Sequence, residues 1–201
     1  NIFLAIAQNI LRHIIETGKT PLGLEGLRES LADIYYGNFS VFQSLPDTWA
    51  IGQLFPIIPL HRHLEAPRRE AIISDLTCDC DGKLDAFIVA GGESRILPVH
   101  PLKKEEEYYL GVFLMGAYQE TLGDLHNLFG DTHVVSVRLN EDGSFDVMKE
   151  IPGDSIGDVL SYVEYNPQLL FEQLRGTAEA AVRQGRLTVA ERQLLLEEFR
   201  G

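Results

Sequence analysis

Ala71-Ile72-Ile73-Ser74-Asp75-Leu76-Thr77-Cys78-Asp79-Cys80-Asp81-Gly82-Lys83-Leu84-Asp85 is the stretch from which this chain is best read. Its first half is β-rich, and its second half is a polar turn rich in Asp and Gly. A thiol and a carboxylate therefore stand side by side at the end of a strand. A thiol can hand over a proton, and a carboxylate can hold a cation, so the pair reads as half of an active site. The plainer reading is a buried cysteine followed by a turn-forming Asp-x-Asp-Gly.

Working outward, helical patterns flank a β-rich middle. Phe3, Ala7, Ile10 and Ile14 recur at helical spacing up to Gly18. Pro21 is expected to open a second helix with Leu24, Leu27, Leu31 and Ile34 on one face. Asn38 to Ser44 reads as a strand broken by Pro46-Asp47, and Pro56, Pro59 and Pro67 keep the next stretch irregular or at a sheet edge. Further strands are expected at 70–77, 86–90, 95–99 and 109–117, and a short helix from Gln119 to Asn127. Val135, Val137 and Leu139 alternate with polar residues, Asp142-Gly143 turns the chain, and Phe145 and Val147 return. Beyond Gly153 the pattern is helical, with Asn166-Pro167 as one helix start and Thr188 to Glu191 as a capping box for the last. The fold class is α+β: helical segment 1–36, a β-sandwich or barrel-like domain over 37–150, and a helical extension over 151–201.

Composition bounds the function. With 201 residues, the chain can bury a sizeable core. A net charge of −13 argues against nucleic acid as a partner, because such a surface needs a basic stripe. No apolar run reaches a membrane span, and the apolar start Ile2 to Ile15 lacks a leader's basic segment and cleavage site. The two cysteines, one residue apart, cannot form a normal structural disulfide, so a reducing, cytoplasmic setting is expected. The chain opens without Met inside a helical pattern, as a piece of a longer protein would.

Metal readings are weak. His61-x-His63 with Cys78-x-Cys80 lacks the C-x2-C spacing of a zinc knuckle. If Gly82 is set at the invariant glycine of a calcium loop, Ile88 occupies the position that needs a bidentate glutamate. No metal ligand is assigned. No glycine run has a G-x-G-x-x-G or P-loop spacing. One further candidate is Gly111 to Tyr118, an apolar strand ending in Gly116-Ala117. Small residues there let backbone approach a ligand, and the Tyr118 hydroxyl can donate to a phosphate, although a tyrosine that only caps the strand is the commoner case.

Four stretches together carry a family resemblance: Asn38-Phe39-Ser40-Val41-Phe42-Gln43-Ser44-Leu45-Pro46-Asp47, Thr77-Cys78-Asp79-Cys80-Asp81-Gly82, Gly116-Ala117-Tyr118-Gln119-Glu120 and His126-Asn127-Leu128-Phe129-Gly130-Asp131. In this order and spacing the chain resembles the C-terminal third of biosynthetic arginine decarboxylases, which are fold-type III, alanine-racemase-like enzymes. Cys80 departs from the pattern, standing where that family has serine. The resemblance implies pyridoxal 5'-phosphate, bound to a lysine of an N-terminal TIM barrel that this chain lacks, and magnesium as a further family cofactor. It implies a lyase converting L-arginine to agmatine and carbon dioxide at the head of polyamine and spermidine synthesis. Cys78 is then the proton donor, Asp79 the carboxylate for the substrate guanidinium, and Tyr118 a donor to the cofactor phosphate.

These residues are expected to act across a homodimer or higher oligomer, on the barrel site of another subunit, so the isolated chain should be inactive. Asp47 is a weaker substrate-binding candidate, with a helix N-cap before Thr48-Trp49 as its alternative. Two other functions stay open: a non-catalytic binding or regulatory module of the same fold, and a decarboxylase for another basic amino acid. The Asn-Leu-Phe-Gly-Asp run and the helical extensions resemble the arginine branch.

Overall fold

A computed structural model of the chain describes residues 2–199, arranged as two compact units, Asn1–Phe129 and Gly130–Gly201. In the first unit, helix α1 (Ile2–Thr17) forms as its periodicity predicts and ends at Gly18, whose N–H donates to the Ile14 carbonyl at 2.9 Å. None of its residues is buried, so its apolar stripe lies open. The helix expected from Pro21 to Ile34 does not form. Gly23 and Gly26 turn the chain, α2 lasts only from Leu27 to Ser30, and Ile34 belongs to a strand.

The next correction lies at 38–47. The expected strand is instead the short helix α3 (Val41–Ser44), followed at once by α4 (Pro46–Ile51). Ser40 caps α3, its hydroxyl accepting from the Gln43 N–H at 3.3 Å. Pro46 opens α4 at a position where its missing N–H costs nothing, and so does not break a strand. The β-propensity of Val41 and Phe42 yields here to capping and burial, since both side chains are in the core. Asp47 lies inside the first turn of α4 and is not its N-cap, a position that Leu45 takes.

The strands of this unit are β1 (Asp33–Tyr36), β2 (Ile57–Pro59), β3 (Arg69–Ser74), β4 (Lys83–Leu84), β5 (Phe87–Val89), β6 (Gly92–Ser94), β7 (Leu97–Val99) and β8 (Leu110–Val112). β3 is the centre: it pairs in parallel with β1 and antiparallel with β4 and β7. Two separate pairs, β2 with β8 and β5 with β6, complete the set. The fold is thus α+β, and the sheets form no closed barrel among the described residues. Alternation along β3 buries Ala71 and Ile73, which pack with Val41, Leu45, Phe87 and Val99. The helix expected at 119–127 appears as α5 (Gln119–Leu122) and a separate 3-10 turn, His126–Leu128, parted at Gly123.

The second unit holds the hairpin β9 (Val134–Leu139) and β10 (Phe145–Ile151), turned at Asp142-Gly143, where Gly143 has φ +83°. Three helices follow: α6 (Ile156–Tyr162), α7 (Pro167–Arg183) and α8 (Val189–Glu198). Both expected starts form. The Asn166 side chain accepts from the Leu169 N–H at 3.1 Å, and Thr188 and Glu191 close a capping box. Ser155 and Asp158 build a second box on α6. The Ser155 hydroxyl holds the Asp158 carboxyl below its ordinary range, and the Thr188 backbone N–H does the same for Glu191. Folded values below the unfolded ones mean that this stabilisation is present above the ordinary carboxylate range and is lost as pH falls through the depressed values. Phe171, Ala178 and Ala181 form the buried side of α7. No helix among the described residues is long and apolar enough to cross a membrane.

Replacing Asn166 by Ala removes one capping acceptor and should lower stability by about 1 kcal/mol. Urea denaturation followed by circular dichroism measures this, and an unchanged midpoint would show that the cap contributes nothing.

Candidate active site

The site grows from one buried carboxylate at the end of β3. Asp75 is 2% exposed. One of its oxygens accepts the Val41 N–H at 2.8 Å, joining the β3 end to the start of α3. The other accepts both the backbone N–H and the hydroxyl of Thr77, each at 2.8 Å, and so bends the chain into the Cys78 loop. The Asp75 N–H donates to the Gly82 carbonyl at 2.8 Å, which closes the loop across its neck. A Cβ at position 82 would collide with the Asp75 carboxylate and the Thr77 hydroxyl, so only glycine fits this buried corner.

On this base the loop presents Cys78, Asp79, Cys80 and Asp81, all exposed. Asp79 accepts the Asp81 N–H at 2.9 Å, the local turn expected of Asp-x-Asp-Gly. Cys78 is held from outside the loop. Its N–H donates to the Asn127 side-chain oxygen at 3.0 Å, and the Asn127 amide nitrogen lies 3.4 Å from its sulfur. Asn127 and Leu128 both adopt left-handed backbone, at φ +55° and +62°.

The Asn127 segment is in turn tied to α3. The Asp124 N–H donates to the Phe42 carbonyl at 3.1 Å, and the Gln119 side-chain nitrogen donates to the Gln43 carbonyl. The His126 ring lies 4.4 Å, centroid to centroid, from that of Phe42. Within the first unit, residues of the four stretches thus meet: Cys78 with Asn127, His126 with Phe42, and Gln119 with Gln43.

Tyr118 sits immediately before α5 and is 54% exposed. Gly116, at φ +118° and with nothing near its missing Cβ, leaves open backbone next to it. Asp47 is buried, and its Oδ1 is without a hydrogen-bond partner among the described residues. A cleft of about 380 Å³ beside the loop is lined by Thr48, Trp49, Asp81 and Lys83, among others.

The zinc reading finds no support in these contacts: His61 Nε2 accepts from the Tyr109 N–H at 3.1 Å, and His63 Nε2 lies 2.7 Å from the Pro59 carbonyl. Among the described residues, potential metal ligands cluster at Asp79, Cys80 and Asp81, within 4.8 Å of one another and all exposed. Two of the residues that build the site, Asp75 and Asn127, stand in quoted stretches of the sequence but receive no role from it. Asp75 carried one signal, a charged residue followed two positions later by Thr in an Asx-turn spacing. Asn127 stands in one of the four family stretches, but its contact with Cys78 is not legible there, because the two lie 49 residues apart.

An exposed thiol and an exposed acid stand side by side on a loop braced from below, and comparison with known proteins supplies the context. Residues 156–201 match the arginine decarboxylase C-terminal helical extension. The biosynthetic arginine decarboxylase of Rhodopirellula baltica is 51% identical over 188 residues, covering 93% of this chain and 28% of that protein. The one from Gloeobacter violaceus is 45% identical over 202 residues, covering 98% and 31%. The crystal structure of the biosynthetic arginine decarboxylase SpeA from Campylobacter jejuni matches with a TM-score of 0.70 at 32% identity, covering 96% of this chain and 34% of that one. Over nearly its whole length the chain is similar to a part of biosynthetic arginine decarboxylases that includes their C-terminal helical extension. It spans less than a third of the two sequence relatives' length.

Asp75→Ala strands three donors, two of them backbone N–H groups, and should cost about 3 kcal/mol of stability. Chemical denaturation checks this, and a loss under about 0.5 kcal/mol would mean that water replaces the carboxylate without penalty.

Proposed function

We propose that this chain supplies the proton donor and the substrate carboxylate of an arginine decarboxylase, acting on L-arginine to give agmatine and carbon dioxide. The observation that carries the reading is the Cys78-Asp79 pair: two reactive side chains left exposed on a loop whose base is buried and fully bonded. The family relationship supports the substrate. Asp79 accepts the guanidinium, a planar fork that suits parallel bonds to a carboxylate. Cys78 delivers a proton to the substrate Cα after carbon dioxide leaves.

Pyridoxal phosphate, when bound, supplies the electron sink for that departure. The residues at hand fit its phosphate end, since Tyr118 is exposed and follows by two residues Gly116, whose backbone is unobstructed. A barrel domain with the cofactor lysine, in a partner subunit of a dimer or higher oligomer, completes this half-site. The bare apolar stripe of α1 fits a chain that lies against further polypeptide. Magnesium fits the described residues poorly. The Asp79–Cys80–Asp81 group offers two carboxylates and a soft thiol, where magnesium needs hard oxygens.

Cys78→Ala in the whole enzyme should lower kcat by roughly 10²- to 10⁴-fold while KM for arginine changes little. Release of labelled carbon dioxide measures it, and undiminished turnover removes Cys78 from its role. Asp79→Ala should instead raise KM for arginine on the order of 10²-fold, the loss expected when one partner of a closed charge pair is truncated. Arginine affinity equal to that of the wild type would end that assignment.

A further inference from the structure

Asn127 reaches Cys78 from 49 residues away and touches it twice. The Cys78 backbone N–H can only donate, so the amide oxygen of Asn127 must face it. The amide NH2 group is then obliged to face the sulfur, and it has only hydrogens to offer. The sulfur is thereby cast as the acceptor, and its own hydrogen must point away from Asn127, into the open side of the loop. Asparagine is suited to this place on two counts. It tolerates the left-handed backbone at φ +55°, and its amide sets an acceptor and a donor on separate atoms of one short side chain. Leu128, also left-handed, adds backbone strain of the kind held at functional positions.

From this geometry we infer that Asn127 is a positioning residue for the reaction: it fixes the Cys78 sulfur as a hydrogen-bond acceptor and turns the transferable proton outward toward the substrate. The inference rests on the proposed role of Cys78. It is nevertheless tested first by a readout that needs no turnover.

The decisive variant is Asn127→Asp in the full-length protein. Aspartate keeps the acceptor for the Cys78 N–H and the left-handed backbone, but it sets a carboxylate oxygen where the NH2 donor faced sulfur. Negative charge on the sulfur then loses its donor and meets a like charge. Alkylation of Cys78 by iodoacetamide, followed by peptide mass spectrometry so that other cysteines do not interfere, should slow about tenfold. Asn127→Gly keeps the backbone freedom and deletes both bonds, and it should slow alkylation about threefold.

In the holoenzyme both variants should lower kcat, with KM for arginine moving less than about twofold, because Asp79 keeps its own turn. A general disturbance of the loop would move KM as well. Alkylation of either variant at or above the wild-type rate overturns the inference. Slowed alkylation with unchanged kcat shows that Asn127 does hold the thiol but that Cys78 donates no proton. In that case the proposed function of Cys78 fails, and the part assigned to Asn127 fails with it.

Discussion

A carboxylate without water must find donors, and in this chain Asp75 finds three. Burial makes that requirement strict, because a carboxylate oxygen left without a donor in the interior costs far more than the same oxygen at the surface, where water serves it. By meeting it, Asp75 joins the end of the central strand, the start of α3 and the neck of the Cys78 loop at one point. The absence of a side chain at Gly82 belongs to the same constraint, since any Cβ would occupy the space of the carboxylate.

The bracing does not stop there. α3 is bonded through the Phe42 and Gln43 carbonyls to the segment 119–124, and that segment leads into Asn127, which returns to Cys78. The result is a closed circuit of hydrogen bonds whose members are far apart in sequence. Such a circuit resists loosening at any single link, because each bond holds the geometry of the next. The exposed thiol and acid then stand on a base held by hydrogen bonds at both ends.

Much of the architecture was legible in short-range signals. Asn166-Pro167, Thr188 with Glu191 and Asp142-Gly143 each specify their local geometry through contacts no more than four residues apart, and all three form as read. The stretch at 38–47 misled for the converse reason. Asn-Phe-Ser-Val-Phe has the β-branched and aromatic texture of a strand, yet the Val41 N–H is claimed by a carboxylate 34 residues onward and the helix wins. The passage from Pro21 to Ile34 has helical spacing, but Gly23 and Gly26 interrupt it and β3 draws Ile34 into a parallel pair. The thiol, its neighbouring acid and Tyr118 could be picked out because their chemistry is unusual in those contexts. The contacts by which Asp75 and Asn127 brace them could not, since they span 34 and 49 residues.

What the amino-acid order determined by itself was the inventory: helix caps, turn residues, the β-rich texture of β3, the alternation of the 135–147 hairpin, and a thiol beside an acid at a strand end. These depend on interactions within a turn or a strand, where neighbours in sequence are neighbours in space. Only the tertiary structure decided that Asp75 is buried, that Val41 to Ser44 is helical, and that Asn127 meets Cys78. Those outcomes rest on pairings across tens of residues, and a linear pattern holds no distance information on that scale.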